Sequence, residues 1–200
     1  MDLSNPLWDL IQIKGQITAS ISHELKNCLA IIQEKSGLLE DLIELSEEDN
    51  NTLSLEKIKE ITTSIFNQTV RANKIVQNLN KLAHTPDDKC LNIDISEYLS
   101  LSLSVYKRIA DMKNIELTLT SPESFQYSTQ PFIFLGLIIS ILNDFTQQEE
   151  NKEKKLSFLV KKNKIYIEPQ IKVSSKSEQI ASLLNITLEE KNNTLCINLT

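Results

Sequence analysis

The sequence predicts an α+β chain in which a long helical hairpin precedes a small α/β sandwich, and three observations carry that prediction. Apolar residues recur every three, four or seven positions through two long stretches of the first half, the spacing of one helix face. The second half contains a run, Ile115 to Thr120, that alternates apolar and polar residues, the period of a half-buried strand. Only 3 Gly and 5 Pro are spread over 200 residues, too few for an all-β architecture built on special turns.

Residues 6–46 carry no proline after Pro6, and Leu10, Ile13, Ile17, Ile21, Leu25, Cys28, Ile32, Leu39 and Leu42 form one stripe. Ser4 or Asn5 caps this helix, with Pro6 at its first position, where a missing N–H is harmless. Gly15 and Gly37 each weaken it by about 1 kcal/mol relative to Ala. Ser46 to Thr52 reads as a polar turn. A second stripe follows in Leu55, Ile58, Ile61, Ile65, Ala72, Ile75, Val76, Leu79 and Leu82. It stops before His84-Thr85-Pro86, because proline turns the preceding residue away from helix. Two antiparallel helices with one apolar face each cannot cover that surface alone. Two copies closing into a dimeric four-helix bundle do, so a homodimer is expected. Trp8 and Phe66 are expected as core or dimer contacts.

Residues 94–113 read as a helix through Ile95, Leu99, Leu103, Tyr106, Ile109 and Ala110. Ile115 to Thr120 alternates as a strand, Ser121-Pro122-Glu123-Ser124 turns, and Phe125 to Tyr127 gives a short strand. Pro131 to Phe145 is apolar enough for a buried helix. Leu156 to Val160 and Ile165 to Ile167 flank Lys161 to Lys164 in a hairpin pattern. Ser177 to Leu184 is helical, and Ile186 to Leu188 with Leu195 to Leu199 closes the chain as a strand pair around Lys191-Asn192-Asn193. These elements make helices on one face of a mixed sheet. The expected division is 1–86 for the hairpin domain and 87–200 for the sandwich domain.

A formal net charge of -6 disfavours a nucleic-acid partner. Cys28, Cys90 and Cys196 are odd in number and far apart, which fits a reducing cytoplasm better than a disulfide framework. No apolar run reaches the length of a membrane span, and Met1-Asp2 opens no basic-then-apolar leader, so neither a membrane partner nor secretion is expected. Two distant histidines and three separated cysteines give no zinc spacing. His84, at a helix end beside Pro86, is expected to interact with the helix dipole.

His23 lies mid-helix in Ser22-His23-Glu24-Leu25-Lys26-Asn27-Cys28-Leu29-Ala30. The apolar stripe runs through Ile21, Leu25, Cys28 and Ile32, which leaves His23, Asn27 and Ala30 on another face, toward solvent or a partner. An exposed imidazole, with a reference pKa of about 6.5, is a competent nucleophile near neutral pH. Glu24, adjacent, is placed to orient one ring nitrogen so that the other attacks. The plain alternative is a helix-surface histidine without a role.

The segment Ile21 to Ile32 resembles the H-box of bacterial two-component histidine kinases, the dimerisation and phosphoacceptor module. The usual form is Ser-His-Glu-Leu-(Lys/Arg)-(Asn/Thr)-Pro-Leu, matched here except for Cys28 in place of proline. Arg71-Ala72-Asn73-Lys74-Ile75-Val76-Gln77-Asn78-Leu79 is similar to that module's second helix. The resemblance implies His23 as phosphoacceptor, Glu24 as the acidic helper and Asn27 as the residue orienting water for dephosphorylation of a partner. Receiver docking is expected on His23, Asn27, Ala30 and Glu34 of the first helix with Arg71, Lys74 and Ile75 of the second.

The second half is similar in element order to the ATP-binding domain of the same kinases, and Phe134 to Asp144 resembles its N-box helix. That box usually has two asparagines four apart; here Ile139 stands at the first position and only Asn143 remains. The family's glycine-rich nucleotide turns should fall between Ile165 and Leu184, yet no glycine follows Gly136. Only glycine lets backbone amides approach a nucleotide closely. The segment from Glu168 to Lys176 is also short for a nucleotide lid. The sandwich therefore resembles a degenerate ATPase domain, with no cofactor of its own. The resulting expectation is a histidine phosphotransferase that relays a phosphoryl group between response-regulator receiver aspartates through His23, magnesium being supplied by the receiver. Its rivals are a non-catalytic scaffold or inhibitor, a receiver phosphatase using Glu24 and Asn27, and an active kinase with a rebuilt nucleotide site.

Overall fold

The computed structural model describes residues 5–48, 54–120, 123–148, 155–191 and 193–199. Ser4, the Asp49 to Thr52 part of the first expected turn, Ser121-Pro122 and Asn192 lie outside the described residues. The first helix, α1, spans Pro6–Glu48. Asn5 caps it: its Oδ1 accepts the Leu7 N–H at 3.0 Å, and Pro6 follows at the position where no N–H is needed. The second helix, α2, spans Leu55–His84, with the Ser54 carbonyl accepting the Ile58 N–H at 3.1 Å. Then come β1 (Leu91–Asp94), α3 (Ile95–Met112), β2 (Glu116–Thr120), β3 (Gln126–Thr129) and α4 (Pro131–Gln147). The chain ends with β4 (Lys155–Lys161), β5 (Lys164–Glu168), α5 (Ser175–Leu183), β6 (Thr187–Lys191) and β7 (Thr194–Asn198). The fold is α+β, and every expected element is present.

β1 is the addition. Four residues are too few to display a period, and the strand exists because it pairs antiparallel with β3, Ile93 opposite Tyr127. Asp94 ends β1 and caps α3, its Oδ1 accepting the Glu97 N–H at 2.9 Å. That hydrogen bond and one from the Ser124 hydroxyl hold the Asp94 carboxyl below the usual carboxylate range, the Ser124 bond contributing most.

The other five strands form one mixed sheet in the order β2-β4-β5-β7-β6. β2 runs parallel to β4, and the remaining neighbours are antiparallel. The register places Phe158 opposite Ile167, and Ile165 opposite both Val160 and Ile197. These side chains are all buried, one apolar face of alternating positions. Asparagine stands in for scarce glycine where the chain must turn. Asn114 and Asn185 have φ of 56° and 55° just after α3 and α5. There the Ile115 and Ile186 N–H groups reach back to the Ala110 and Ala181 carbonyls at 2.9 and 3.1 Å. Both are Schellman-type stops with a buried apolar residue next in line.

Two compact units emerge, one of Ile21–Asn80 and one of Met1–Ser20 together with Lys81–Thr200. The compact units therefore do not divide at residue 86, because the opening turns of α1 pack with the sheet-bearing unit. Leu10, Ile13 and Ile17 are buried there, Asp9 pairs with Lys176 of α5 at 3.0 Å, and Lys14 Nζ lies 5.6 Å from the centroid of the Phe132 ring. Gly136 of α4 admits this helix: a Cβ there would stand 2.2 Å from Leu10 Cδ2. α4 is apolar all round and almost wholly buried, as a helix covered on every side must be. Among the described residues no helix is long and apolar enough to cross a membrane.

The Leu10–Gly136 contact generates a coupled prediction. Gly136→Ala should destabilise the chain by about 1–3 kcal/mol through overpacking, and Leu10→Ala by about 2–5 kcal/mol through a cavity. The double variant should cost clearly less than the sum, because the smaller residue 10 makes room for the new methyl group. Urea midpoints of the four chains check this; strict additivity would contradict the contact.

Candidate functional site

The rotation of α1 is fixed by what it buries. Ile21 and Cys28 are buried and Leu25 and Ile32 half-buried, and at about 100° per residue their positions share one side of the helix. His23, Asn27, Ala30 and Glu34 fall opposite them, and all four are exposed. No hydrogen bond holds the His23 ring among the described residues. α1 continues as helix through Cys28, the position at which the motif it resembles has proline.

Glu24 does not orient His23. One residue on, it stands at the margin of the buried stripe, and its Oε1 accepts from Arg71 Nη2 of α2 at 2.9 Å. The Glu24 side chain is 20% exposed and that of Arg71 is 57% exposed, so the carboxylate is the covered partner and the guanidinium the outer one. Sequence reasoning names both residues but not their pairing, since no local pattern links positions 47 apart. Lys74 is exposed as expected. Ile75 is not part of an outer docking surface: it is 8% exposed, because it returns to the same side of α2 as buried Ile61 and Leu82 at heptad spacing.

The apolar faces of Ile21–Asn80 are only partly covered by the chain itself. Leu29, Leu38, Phe66, Val70 and Val76 are exposed, as is Trp8 in the other unit. Trp8 and Phe66 are thus not core residues. His84, at the last position of α2, places Nδ1 2.7 Å from Asp87 Oδ2, a partner beyond the helix end. Among the described residues no three or more His, Cys, Asp or Glu side chains are grouped to hold a metal.

On α4 the Asn143 side-chain amide is hydrogen-bonded within the sheet-bearing unit. Asn143 Oδ1 accepts from Tyr106 Oη at 2.7 Å, and the Asn143 and Gln16 side-chain amides exchange hydrogen bonds at 3.2 and 3.4 Å. Ile139, four residues earlier, is fully buried. Asp144 is the one charged residue of α4, and it ties down the start of α5. Its Oδ2 accepts from the Ser174 N–H at 3.0 Å and from Ser177 Oγ at 2.6 Å, while Ser177 also bonds Ser140 Oγ at 2.8 Å. Ser174 in turn caps α5. Residues 169–174, where a nucleotide-binding loop is expected to be degenerate, are therefore a short connection fastened at its end by a buried carboxylate. A lone charge in an otherwise apolar helix is the signal that could have disclosed this clamp.

No protein-family model matches the sequence, and no curated protein matches it. Among solved structures the chain is similar to the cytoplasmic segment of histidine kinase QseC, at 17% identity and a TM-score of 0.47, over 65% of this chain and 93% of that one. It is similar to Acinetobacter baumannii histidine kinase AdeS at 14% identity and a TM-score of 0.39, over 88% and 94% of the two chains. A third is histidine kinase ThkA in complex with response regulator protein TrrA, at 13% identity and a TM-score of 0.39, over 94% of this chain and 61% of that one. At these scores the likenesses carry no functional argument, and the reading of the site rests on this chain's own residues.

The Tyr106–Asn143 pair yields a pH prediction. Burial pushes the Tyr106 phenol up to about 12, with Thr146 opposing and Asp144 reinforcing the shift. A raised folded-state value means that stability is whole below the unfolded phenol pKa of about 10 and is lost as pH climbs through about 12. Tyr106→Phe should cost about 1 kcal/mol at neutral pH through the lost hydrogen bond, yet lose less stability than the parent above pH 10. Denaturant unfolding at pH 8 and pH 11.5 separates these; equal losses in both chains would contradict it.

Proposed function

We propose that this chain is a histidine phosphotransferase: it takes a phosphoryl group from the aspartyl phosphate of one response-regulator receiver domain and passes it to another, through His23 and without binding ATP. The observation that carries the reading is the outward placement of His23 on α1, within the Ser22 to Ala30 segment that resembles a phosphoacceptor box. The homodimer belongs to the proposal. A second copy would cover the exposed Leu29, Phe66 and Val70 and close a four-helix bundle. So does a cytoplasmic location, where receivers and reduced cysteines occur together.

The chemistry asks little of this chain. The receiver brings the aspartate, the magnesium and a lysine, while the helix presents an imidazole in line with the phosphorus. His23 is held by the helix backbone with its ring free to approach. Ala30, three residues beyond Asn27, offers a small side chain over which a receiver can come close. Asn27, Glu34 and Lys74 add polar surface of the mixed kind that transient interfaces use. No nucleotide is needed for any step. Two features support that part of the reading: no glycine follows Gly136, and the Asn143 amide is occupied by Tyr106 and Gln16.

A phosphatase reading draws on Asn27, exposed on the same face as His23. It predicts phosphate release with no labelled histidine. Incubation with a phosphorylated receiver separates the two. His23→Ala should abolish acceptance while leaving the dimer intact by light scattering. Glu24→Ala should slow acceptance by about 10²-fold, the scale of an acid–base group. Asn27→Ala should accept phosphate normally and alter only its loss to water. Normal acceptance by His23→Ala would end the reading.

A further inference from the structure

Glu24 places a negative charge one residue from the imidazole that must receive an anion. A phosphoryl group in transfer spreads charge over three oxygens, so an unbalanced carboxylate beside it opposes the reaction. The structure supplies the balance from α2. Arg71 reaches across to Glu24 at 2.9 Å, and it is the more exposed member of the pair. Its guanidinium carries five donors in a planar fork that suits carboxylate and phosphoryl oxygens equally well.

Resting on the phosphotransferase reading, we propose that Arg71 is the group that holds the phosphoryl oxygens during transfer to His23, and that Glu24 is its resting partner. On docking, the guanidinium exchanges the Glu24 carboxylate for the phosphoryl group. The lone pair of the unprotonated ring nitrogen of His23 forms the N–P bond. The bond from phosphorus to the receiver's aspartyl oxygen breaks, and its electron pair leaves on that carboxylate. The proton on the other ring nitrogen passes to the Glu24 carboxylate released by the exchange and then to water. In the reverse direction the same groups return the proton and hand the phosphoryl group on. The ion pair is thus a store for both helpers: it keeps the cation beside the site and shields the base until an anion arrives. Arg71 accordingly serves the phosphoryl group itself rather than the docking surface to which the sequence assigns it.

The test is single-turnover transfer from a phosphorylated receiver to this chain, measured against receiver concentration for the parent, Arg71→Ala and Arg71→Lys. Arg71→Ala should lower the maximal rate by about 10²–10³-fold, the scale for removing one donor to a developing anion, with the half-saturating concentration little changed. Arg71→Lys should fall between, since a lysine supplies charge without the fork. Free guanidinium ion should restore part of the Arg71→Ala rate, a rescue that a structural role for the arginine would not give. A normal maximal rate with a raised half-saturating concentration would make Arg71 a docking residue and overturn the proposal. So would a slow Arg71→Ala chain on which guanidinium has no effect. If the parent chain gains no label at His23, the phosphotransferase reading itself falls, an outcome distinct from either.

Discussion

The continuous apolar stripe of α1 is the constraint from which the rest of the molecule follows. Leu10, Ile13 and Ile17 are buried in the sheet-bearing unit, and Ile21 and Cys28 in the helical one. Within Ile21–Asn80, burial of Ile21 and Cys28 sets which side of α1 faces inward. Its opposite side is fixed as well, and there His23, Asn27, Ala30 and Glu34 meet solvent. Exposure of the imidazole is thus a consequence of packing, held by burial worth about 1.5–3 kcal/mol for each large aliphatic side chain. Polar contacts refine this arrangement more than they create it.

Those polar contacts divide by role. Asp94 and Ser174 end unpaired helix starts, and Asn114 and Asn185 supply left-handed stops that glycine would otherwise provide. Asp144 fixes α5 against α4 through Ser174 and Ser177, and leaving those donors without it would strand buried polar groups. The Glu24–Arg71 pair is different. Its guanidinium is exposed and its carboxylate mostly covered, and a pair with one member in solvent contributes about 1 kcal/mol to stability.

Much of this was legible in the sequence, because the largest elements are those with the most repeats of their period. Nine apolar positions set the face of α1, alternation marked β2, and two apolar runs flanking Lys161 to Lys164 marked the β4–β5 hairpin. The Ile21 to Ile32 segment brought the phosphoacceptor resemblance, and His23 within it is exposed on α1. What escaped was either too short or too distant in sequence. β1 has four residues and is defined by its partner strand. The Glu24–Arg71 and Asp144–Ser177 contacts join residues 47 and 33 apart, and nothing local announces them. Ile75 was misplaced for another reason: its neighbours Arg71 and Lys74 are surface residues, but its own spacing from Ile61 and Leu82 sends it inward.

The most direct test of the account follows the phosphorus itself. The chain mixed with a phosphorylated receiver should be examined by phosphorus NMR, with peptide mapping of the product at alkaline pH. Phosphotransfer through His23 gives a phosphoramidate resonance that disappears in mild acid and maps to the peptide containing His23. A resonance that maps elsewhere, or inorganic phosphate formed with no protein-bound intermediate, would contradict it.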